Sequence, residues 1–303
     1  MSDRKWISAS NVDAEISTPT AKLAPDDQKA LEEAYKQLER ISYAARLTNL
    51  LGRQVELAGS FIPERARKVA GRAVEKALQA AMHVALRSLG KRATGVGVSK
   101  RMHRTLATAS GAVGGAFGLA SLPVELPLST VILLRAIADI AHQEGEDLAN
   151  PETALACMEV FALGGRTPTD DYMDGGYFAI RTLLARTVSE ATRYVAATGA
   201  ANETAPILVR LLGQIAARFG LVVSQKISAQ AVPVLGAFGG AAVNYAFMDH
   251  FQSLAHGHFT VRRLERIYGS TNVRLAYEAL HLCEVGNPPR SEAAPRLQAI
   301  SPG

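Results

Sequence analysis

The chain has few of the residues on which many secreted proteins and enzymes depend. Its 303 residues include two cysteines, Cys157 and Cys283, one tryptophan and 6% aromatic residues. Two cysteines without a CxxC spacing exclude a disulfide scaffold, and we expect both thiols to be free and buried in a reducing cytosol. The GxxxxGK[ST] phosphate loop, the GxSxG nucleophile turn and the HExxH zinc motif are also missing. The sequence therefore identifies no reaction, and whether the protein is an enzyme stays open.

Alternation of apolar and polar residues, which is typical of half-buried strands, is missing as well. Apolar residues make up 48% of the chain, largely as Ala, Leu and Val, and they recur at helical spacing. We therefore predict an all-α fold, a compact multi-helix bundle with Gly- and Ala-rich, closely packed helical hairpins. Helices are predicted to begin at Asp26 and Pro63 and to occupy 101–121, 128–145, 151–163, 177–198, 205–226, 234–256 and 258–284, the last interrupted near Gly269.

The predicted domain organisation follows from these helices and from the polar ends of the chain. Residues 1–25 and 286–303 are predicted to be flexible tails, 26–98 to be N-terminal helices, and 99–285 to be the main helical domain. The first thirty residues contain no apolar core of the kind a signal peptide has, so we expect a cytoplasmic protein.

Two long segments contain no charged side chain: 20 residues over 105–124 and 22 residues over 227–248. That length is sufficient to cross a bilayer or to form a wholly buried helix. Both segments carry small residues at spacings of four, such as Gly111 with Gly115 and Gly236 with Gly240, which allow helix backbones to approach closely. Because Gly, Ser and Thr oppose autonomous insertion into lipid, we predict buried packing and keep shallow membrane insertion as the alternative.

Basic residues are concentrated between Phe61 and Arg104. This stretch contains eleven basic residues and two acidic ones, which gives a local charge of +9, whereas the whole chain has a net charge of +5. Such a block suits anionic lipid or nucleic acid. We predict that lipid is bound by Arg65, Lys68, Arg72, Lys76 and Arg87. The alternative is that the apolar stripe of the same helix, which includes Val74, Leu78 and Met82, packs into the core and leaves the cations in water.

Ionisable residues form the best polar pattern on two later helices, where spacings of three and four place them on one face. The predicted polar cluster consists of Glu125, Arg135, Asp139, His142, Asp249, His250 and His256. Within it, we expect Glu125 to cap a helix N-terminus and Arg135 to form a buried ion pair with Asp139. Asp and His side chains on facing helices also form metal sites, but a sufficient ligand set is not evident here. We therefore expect no metal and no cofactor.

The chain resembles the EcsC family of bacterial proteins over roughly 100–285, so the main helical domain is an EcsC-like one. The similar stretches are LPVELPLS (122–129), RAIAD (135–139), EGED (144–147), ETALACMEVFAL (152–163), RFGLVVS (218–224), QAVPVLG (230–236), MDHFQ (248–252) and HFTVRRLE (258–265). The family is named for a protein encoded beside an ABC transporter and has no established activity. The resemblance implies a bacterial protein of the cytosol or the inner membrane face, and it draws attention to Glu159 as well as to the cluster.

Together these observations predict a membrane-peripheral accessory protein that binds an anionic membrane surface or a membrane protein, with a link to ABC transport or secretion. A small hydrophobic ligand is a further candidate partner. The alternative function is a metal-dependent hydrolase that uses the Asp and His side chains of two helices. We do not expect nucleic acid as a partner, because aromatic residues that would stack on bases are scarce near the basic block.

Overall fold

The computed structural model describes residues 23–40, 64–88, 122–165, 176–199, 204–230 and 236–286. These residues form helices and no strand, which confirms the prediction of an all-α fold. The helices are α1 (Pro25–Tyr35), α2 (Glu64–Ser88), α3 (Leu122–Gln143), α4 (Pro151–Leu163), α5 (Gly176–Thr198), α6 (Pro206–Gln230), α7 (Gly236–Tyr268) and α8 (Ser270–Gly286). A π-helical turn, Lys36–Arg40, continues α1.

Several helix ends lie where the sequence signals placed them. α4 begins at Pro151, and the side chain of Asn150 caps it by accepting a hydrogen bond from the backbone N–H of Glu152. α7 and α8 are separated by Gly269, whose φ of +84° is a left-handed conformation that glycine adopts without strain. The predicted interruption near Gly269 is therefore confirmed.

Two predicted helix breaks are wrong. α3 begins at Leu122 and contains Pro127, whose early position in the helix removes only one backbone hydrogen bond. The hydroxyls of Ser129 and Thr130 donate to the Leu126 carbonyl in the same turn, at 3.1 and 2.7 Å. α7 continues through Gly257, where the glycine serves close packing: a Cβ there would lie 2.7 Å from Leu38 Cγ of the π-helical turn.

α4 is the central helix of the bundle, and it contacts α2, α3, α5, α6 and α7. Every residue from Thr153 to Leu163 is buried, as expected of a helix that is apolar on all sides. The Phe161 ring meets the Phe219 ring edge-on at 5.2 Å. At the end of the helix, a Cβ on Gly165 would lie 2.0 Å from the backbone oxygen of Arg218, so only glycine allows this approach to α6. Glu159, the charged residue within this buried stretch, is consequently placed in the core.

The two uncharged segments differ in how much of them is described. Within 227–248 the described side chains are mostly buried, including Ile227, Val243, Phe247 and Met248, which confirms buried packing for that part. Residues 105–121, with Gly111 and Gly115, lie outside the described residues. Both cysteines are free, but only Cys157 is buried; Cys283 is exposed on the outer side of α8, so its predicted burial is wrong.

Candidate functional site

A cavity of about 710 Å³ opens between α5, α7 and α8, and α4 forms its floor. Its lining combines three arginines, three glutamates, three hydroxyl side chains and an apolar wall. The lining residues are Glu159, Phe178, Arg181, Thr182, Ala185, Val188, Arg262, Glu265, Ser270, Thr271, Arg274, Leu275 and Glu278.

Glu159 is the buried carboxyl at the floor of this cavity. It is 7% exposed, and no described residue forms a hydrogen bond or an ion pair with it. Burial raises the pKa of Glu159 from 4.5 to about 7, although the positive charges of Arg181 and Arg262 oppose the shift. At neutral pH the carboxyl is therefore divided between a protonated form that donates a hydrogen bond and an ionised form that accepts one.

Two of the three guanidinium nitrogens of Arg262 on α7 are hydrogen-bonded to glutamates, and the third is not bonded to any described residue. Its Nε lies 2.8 Å from Glu146 Oε1, and its Nη2 lies 3.1 Å from Glu152 Oε1. Burial opposes ionisation of Glu146, but the hydrogen bond and charge of Arg262 and the charge of Arg266 outweigh it, so the pKa of Glu146 is lowered. Within the described part of the chain, the Nη1 group of Arg262 has no hydrogen-bond partner.

Arg274 of α8 has a similar arrangement at the rim of the cavity. Its Nε donates to Glu278 Oε1 at 2.7 Å, one turn further along the helix. Its guanidinium carbon lies 5.6 Å from the centre of the Phe178 ring, within the range of a cation–π contact. Its two terminal nitrogens form no hydrogen bond with any residue that the structure describes.

Arg181 of α5 is the most constrained of the three arginines. It forms a bidentate ion pair with Glu265, at 2.8 and 3.1 Å, and Nη1 also lies 3.3 Å from the Tyr177 hydroxyl oxygen. The same hydroxyl lies 3.0 Å from His258 Nδ1. Burial keeps the pKa of His258 well below its usual value, so the ring is neutral.

The predicted polar cluster lies elsewhere, and none of its seven residues lines the cavity. Glu125 is buried in the first turn of α3, where it accepts hydrogen bonds from Lys226 Nζ at 3.0 Å and Asn244 Nδ2 at 3.2 Å. It joins three helices, a tertiary role beyond the predicted cap. Lys226 is 1% exposed, with Nζ 4.8 Å from the centre of the Phe247 ring. Burial lowers the pKa of Lys226, and Glu125 opposes that shift.

The remaining members of the cluster do not form one site with Glu125. Arg135 and Asp139 are both half-buried, so they are less buried than predicted, and their ion pair stays a prediction. His142 is exposed near the end of α3, and Asp249 and His256 are half-buried. His250 is buried, with Nε2 3.4 Å from the Gly164 carbonyl oxygen. Across the described ranges, no three His, Cys, Asp or Glu side chains are grouped so that they could hold a metal ion.

The basic helix α2 is amphipathic as predicted, and its two faces have separate roles. Lys68, Arg72, Lys76 and Arg87 are exposed, whereas the side chain of Arg65 lies outside the described residues. The apolar stripe packs into the core against α3 and α6: Val74 is 4%, Leu78 0% and Met82 1% exposed. The structure therefore matches the alternative for this helix, in which its apolar face is not available to lipid.

The cavity and the helices around it lie largely within one family match. The model of the EcsC protein family matches residues 26–264. The chain belongs to the EcsC family. The match begins well before residue 60, so α1 and α2 are part of the EcsC region, which our sequence comparison did not recognise. Glu159 and Arg262 lie inside the matched region, whereas Arg274 lies beyond it. No match was found among curated proteins or among solved structures.

Proposed function

We propose that this EcsC protein is a membrane-peripheral helical protein that contacts lipid through one end of its bundle. The observation that supports the proposal is a set of four exposed apolar side chains on α3, α6 and α7, close in the chain to the buried residues Glu125, Lys226 and Asn244. Val124 is 75%, Leu128 53%, Leu221 40% and Tyr245 41% exposed. We call these four residues the apolar end. Apolar side chains grouped at one surface indicate a protein or membrane contact, whereas single ones do not.

The three helices are held together at this end by the buried ion pair. Val124 and Leu128 flank Glu125 on α3, and Tyr245 follows Asn244 on α7. Leu221 lies five residues before Lys226 on α6. Because Glu125 contacts both Lys226 and Asn244, all four apolar residues lie within about one and a half helical turns of the same polar group.

The positions of the two long uncharged segments in the sequence support the choice of this end. The uncharged segment 105–124 ends at Val124, and 227–248 begins one residue after Lys226. Both segments are therefore adjacent in the chain to residues of the apolar end or of its buried ion pair. Among the described helices, α6 is long and apolar enough to cross a bilayer over Pro206–Ala229, with 33% of the most apolar stretch buried in the bundle. Length and composition alone also fit a helix of a soluble core, so this property of α6 carries little weight.

The exposed cations of α2 give the proposal an electrostatic contribution. Lys68, Arg72 and Lys76 lie on one solvent-facing stripe, and each contributes about 1 kcal/mol of attraction near an anionic surface. Location at the inner face of a bacterial membrane and a link to an ABC transporter remain predictions. The metal-dependent hydrolase remains one too, and no grouping of ligands among the described residues favours it.

Vesicle sedimentation of the full chain tests this proposal. We expect Val124→Asp with Leu128→Asp to abolish most binding to vesicles that contain anionic lipid, because the charges oppose transfer of this surface into the interface. A matched control is Leu183→Asp with Leu282→Asp, two leucines that are 59% and 70% exposed on α5 and α8. The control variant should bind as the natural chain does. Equal losses in both variants, or no binding by the natural chain, would contradict the proposal.

A second variant separates the electrostatic contribution. Lys68→Glu, Arg72→Glu and Lys76→Glu together should weaken binding to anionic vesicles at low salt and leave binding to neutral vesicles unchanged. Unchanged binding to anionic vesicles would show that α2 takes no part in the contact.

A further inference from the structure

We propose that the cavity between α5, α7 and α8 binds a small organic anion, whose carboxylate or phosphate oxygens accept hydrogen bonds from Arg262, Arg274 and Glu159. This site is separate from the apolar end, and it does not depend on membrane binding. The donors that face the cavity, the carboxyl at its floor and the apolar side chains of its lining all favour such a ligand.

The donors that face the cavity are positioned before any ligand arrives. Arg262 is fixed by Glu146 and Glu152, and Arg274 is oriented by Glu278 and the Phe178 ring, yet terminal N–H groups of both arginines have no hydrogen-bond partner among the described residues. A guanidinium held in this way loses little conformational entropy when it binds an oxyanion. The two arginines therefore supply unused donors, which require acceptor oxygens on the ligand.

The N-terminus of α8 also supplies donors that require acceptor oxygens on the ligand. Ser270 and Thr271 form the first turn of this helix of 17 residues, and both line the cavity. First-turn N–H groups have no partner within their own helix, and the helix dipole places partial positive charge there. Residues that carry backbone, hydroxyl and guanidinium donors thus line the same cavity.

Glu159 supplies the independent observation that distinguishes this cavity from a chance opening. It is a carboxyl more than nine-tenths buried that faces the cavity and lacks a described partner. The charged groups around it are Arg181 on α5, Arg262 and Glu265 on α7, and Glu152 on its own helix. Arg274 and Glu278 line the same cavity from α8.

A bound anion and a bound cation would favour opposite protonation states of Glu159. A bound anion repels the ionised form, so Glu159 takes up a proton and donates a hydrogen bond to the ligand. A bound ammonium group would instead face Arg262 and Arg274 together with the positive end of α8. The surrounding donors therefore favour an anion whose binding is accompanied by uptake of one proton.

The rest of the ligand is defined by the apolar side chains of the lining. These are Phe178, Val188 and Leu275, and the cavity volume of about 710 Å³ lies within the range of about 300–1,000 Å³ for small-molecule sites. A carboxylate or a phosphate monoester with a short apolar chain fits both the donors and the apolar side chains. A phospholipid headgroup offers the same oxyanion chemistry, so free anion and lipid must be compared directly.

Calorimetric titration of the full chain with four probes of one chain length tests the class of ligand. We expect octanoate and octyl phosphate to bind at least about tenfold more tightly than octanol or octyltrimethylammonium, because only the first two offer oxyanion oxygens. Displacement of octyl phosphate by phosphatidylglycerol vesicles would assign the site to a lipid headgroup, and persistence would assign it to a free anion. Tighter binding of the cationic probe, or no binding of either anion, would overturn the proposal.

Variants test the named donors and the proton. Arg274→Gln should weaken anion binding about tenfold, since a charge-assisted hydrogen bond is lost. Its matched control is Arg210→Gln, an exposed arginine on α6 outside the cavity. Arg262→Gln should weaken binding as well, but Arg262 also holds Glu146, so the half-exposed Arg274 is the cleaner test.

Glu159→Gln keeps a neutral donor at the floor of the cavity. Anion affinity of the natural chain should fall about tenfold between about pH 6 and about pH 8, as Glu159 ionises. The Glu159→Gln variant should bind the anion at both pH values with no such fall. A variant that keeps the natural pH dependence, or an Arg274→Gln variant that binds as tightly as the Arg210→Gln control, would contradict the assignment.

Discussion

Glu125 and Glu159 are the same residue type, buried to similar degrees in neighbouring helices, yet their surroundings differ. Glu125 is 6% exposed and receives hydrogen bonds from a buried lysine and an asparagine. Glu159 is 7% exposed, and its closest charged neighbours, Arg181 and Arg262, are held by other carboxylates. Removal of the partner of a buried charge costs stability, and a buried carboxyl that has no partner already carries such a cost and so indicates a site. Burial alone therefore does not distinguish structural from functional carboxyls.

The largest expected effect concerns the paired carboxyl. Lys226→Met removes the cation and leaves Glu125 buried without its charge partner, which should lower the free energy of unfolding by about 3–5 kcal/mol. Chemical denaturation measures this loss. The double variant Glu125→Gln with Lys226→Met should recover most of the stability, because no uncompensated charge remains. As a control, Arg186→Met removes an exposed ion pair with Glu190 and should cost less than about 1 kcal/mol. A small effect of Lys226→Met would show that the pair does not hold the three helices together.

The next effect concerns the unpaired carboxyl and has the opposite sign. Since the pKa of Glu159 is about 7 in the folded chain against 4.5 as its ordinary value, the folded state retains the proton longer. Its contribution to stability is therefore complete below about pH 4.5 and is lost as the pH rises to about 7. Glu159→Gln should remove this loss and raise the stability at neutral pH by up to about 3 kcal/mol. Unfolding measured from pH 4 to pH 8 would contradict this account if both chains gave parallel curves.

A smaller effect is expected when Glu159 is given a charge partner, as Glu125 already has. Glu265→Gln frees Arg181 from its bidentate ion pair, so the guanidinium becomes available to the cavity carboxyl. The pKa of Glu159 should then fall by about one unit, which corresponds to about 1.4 kcal/mol. The pH at which stability stops falling, measured by denaturation, should decrease accordingly. An unchanged midpoint would mean that Glu265 does not control the charge environment of Glu159.

The sequence was sufficient for the fold class and for helix ends that have a local signal. Pro151 with Asn150, and Gly269, marked real ends because their backbone preferences act within a few residues. Pro127 was misleading, because an early proline removes one hydrogen bond while the tertiary contacts of Glu125 hold the first turn of α3 in place. Local signals do not show which of these two effects prevails.

The candidate site was much less predictable. Spacing along one helix shows which residues share a face, but it does not show which faces of different helices meet. Lys226 lies 101 residues from Glu125, and nothing in the pattern of either segment connects them. Glu159 had one usable signal, a carboxyl within an otherwise uncharged run from Thr153 to Leu163. The arginines of the cavity come from three helices, so only the packed structure brings them to that carboxyl.

The most direct test of the contrast between the two carboxyls is a pH titration of the Glu159 side-chain ¹³C resonance in the full chain. The signal is assigned by its disappearance in the Glu159→Gln variant. We predict a midpoint near pH 7 in the absence of ligand, the value to which burial raises the pKa of Glu159. A midpoint near 4.5, the ordinary value for a glutamate, would show that the carboxyl is solvated or paired and would contradict the proposed site.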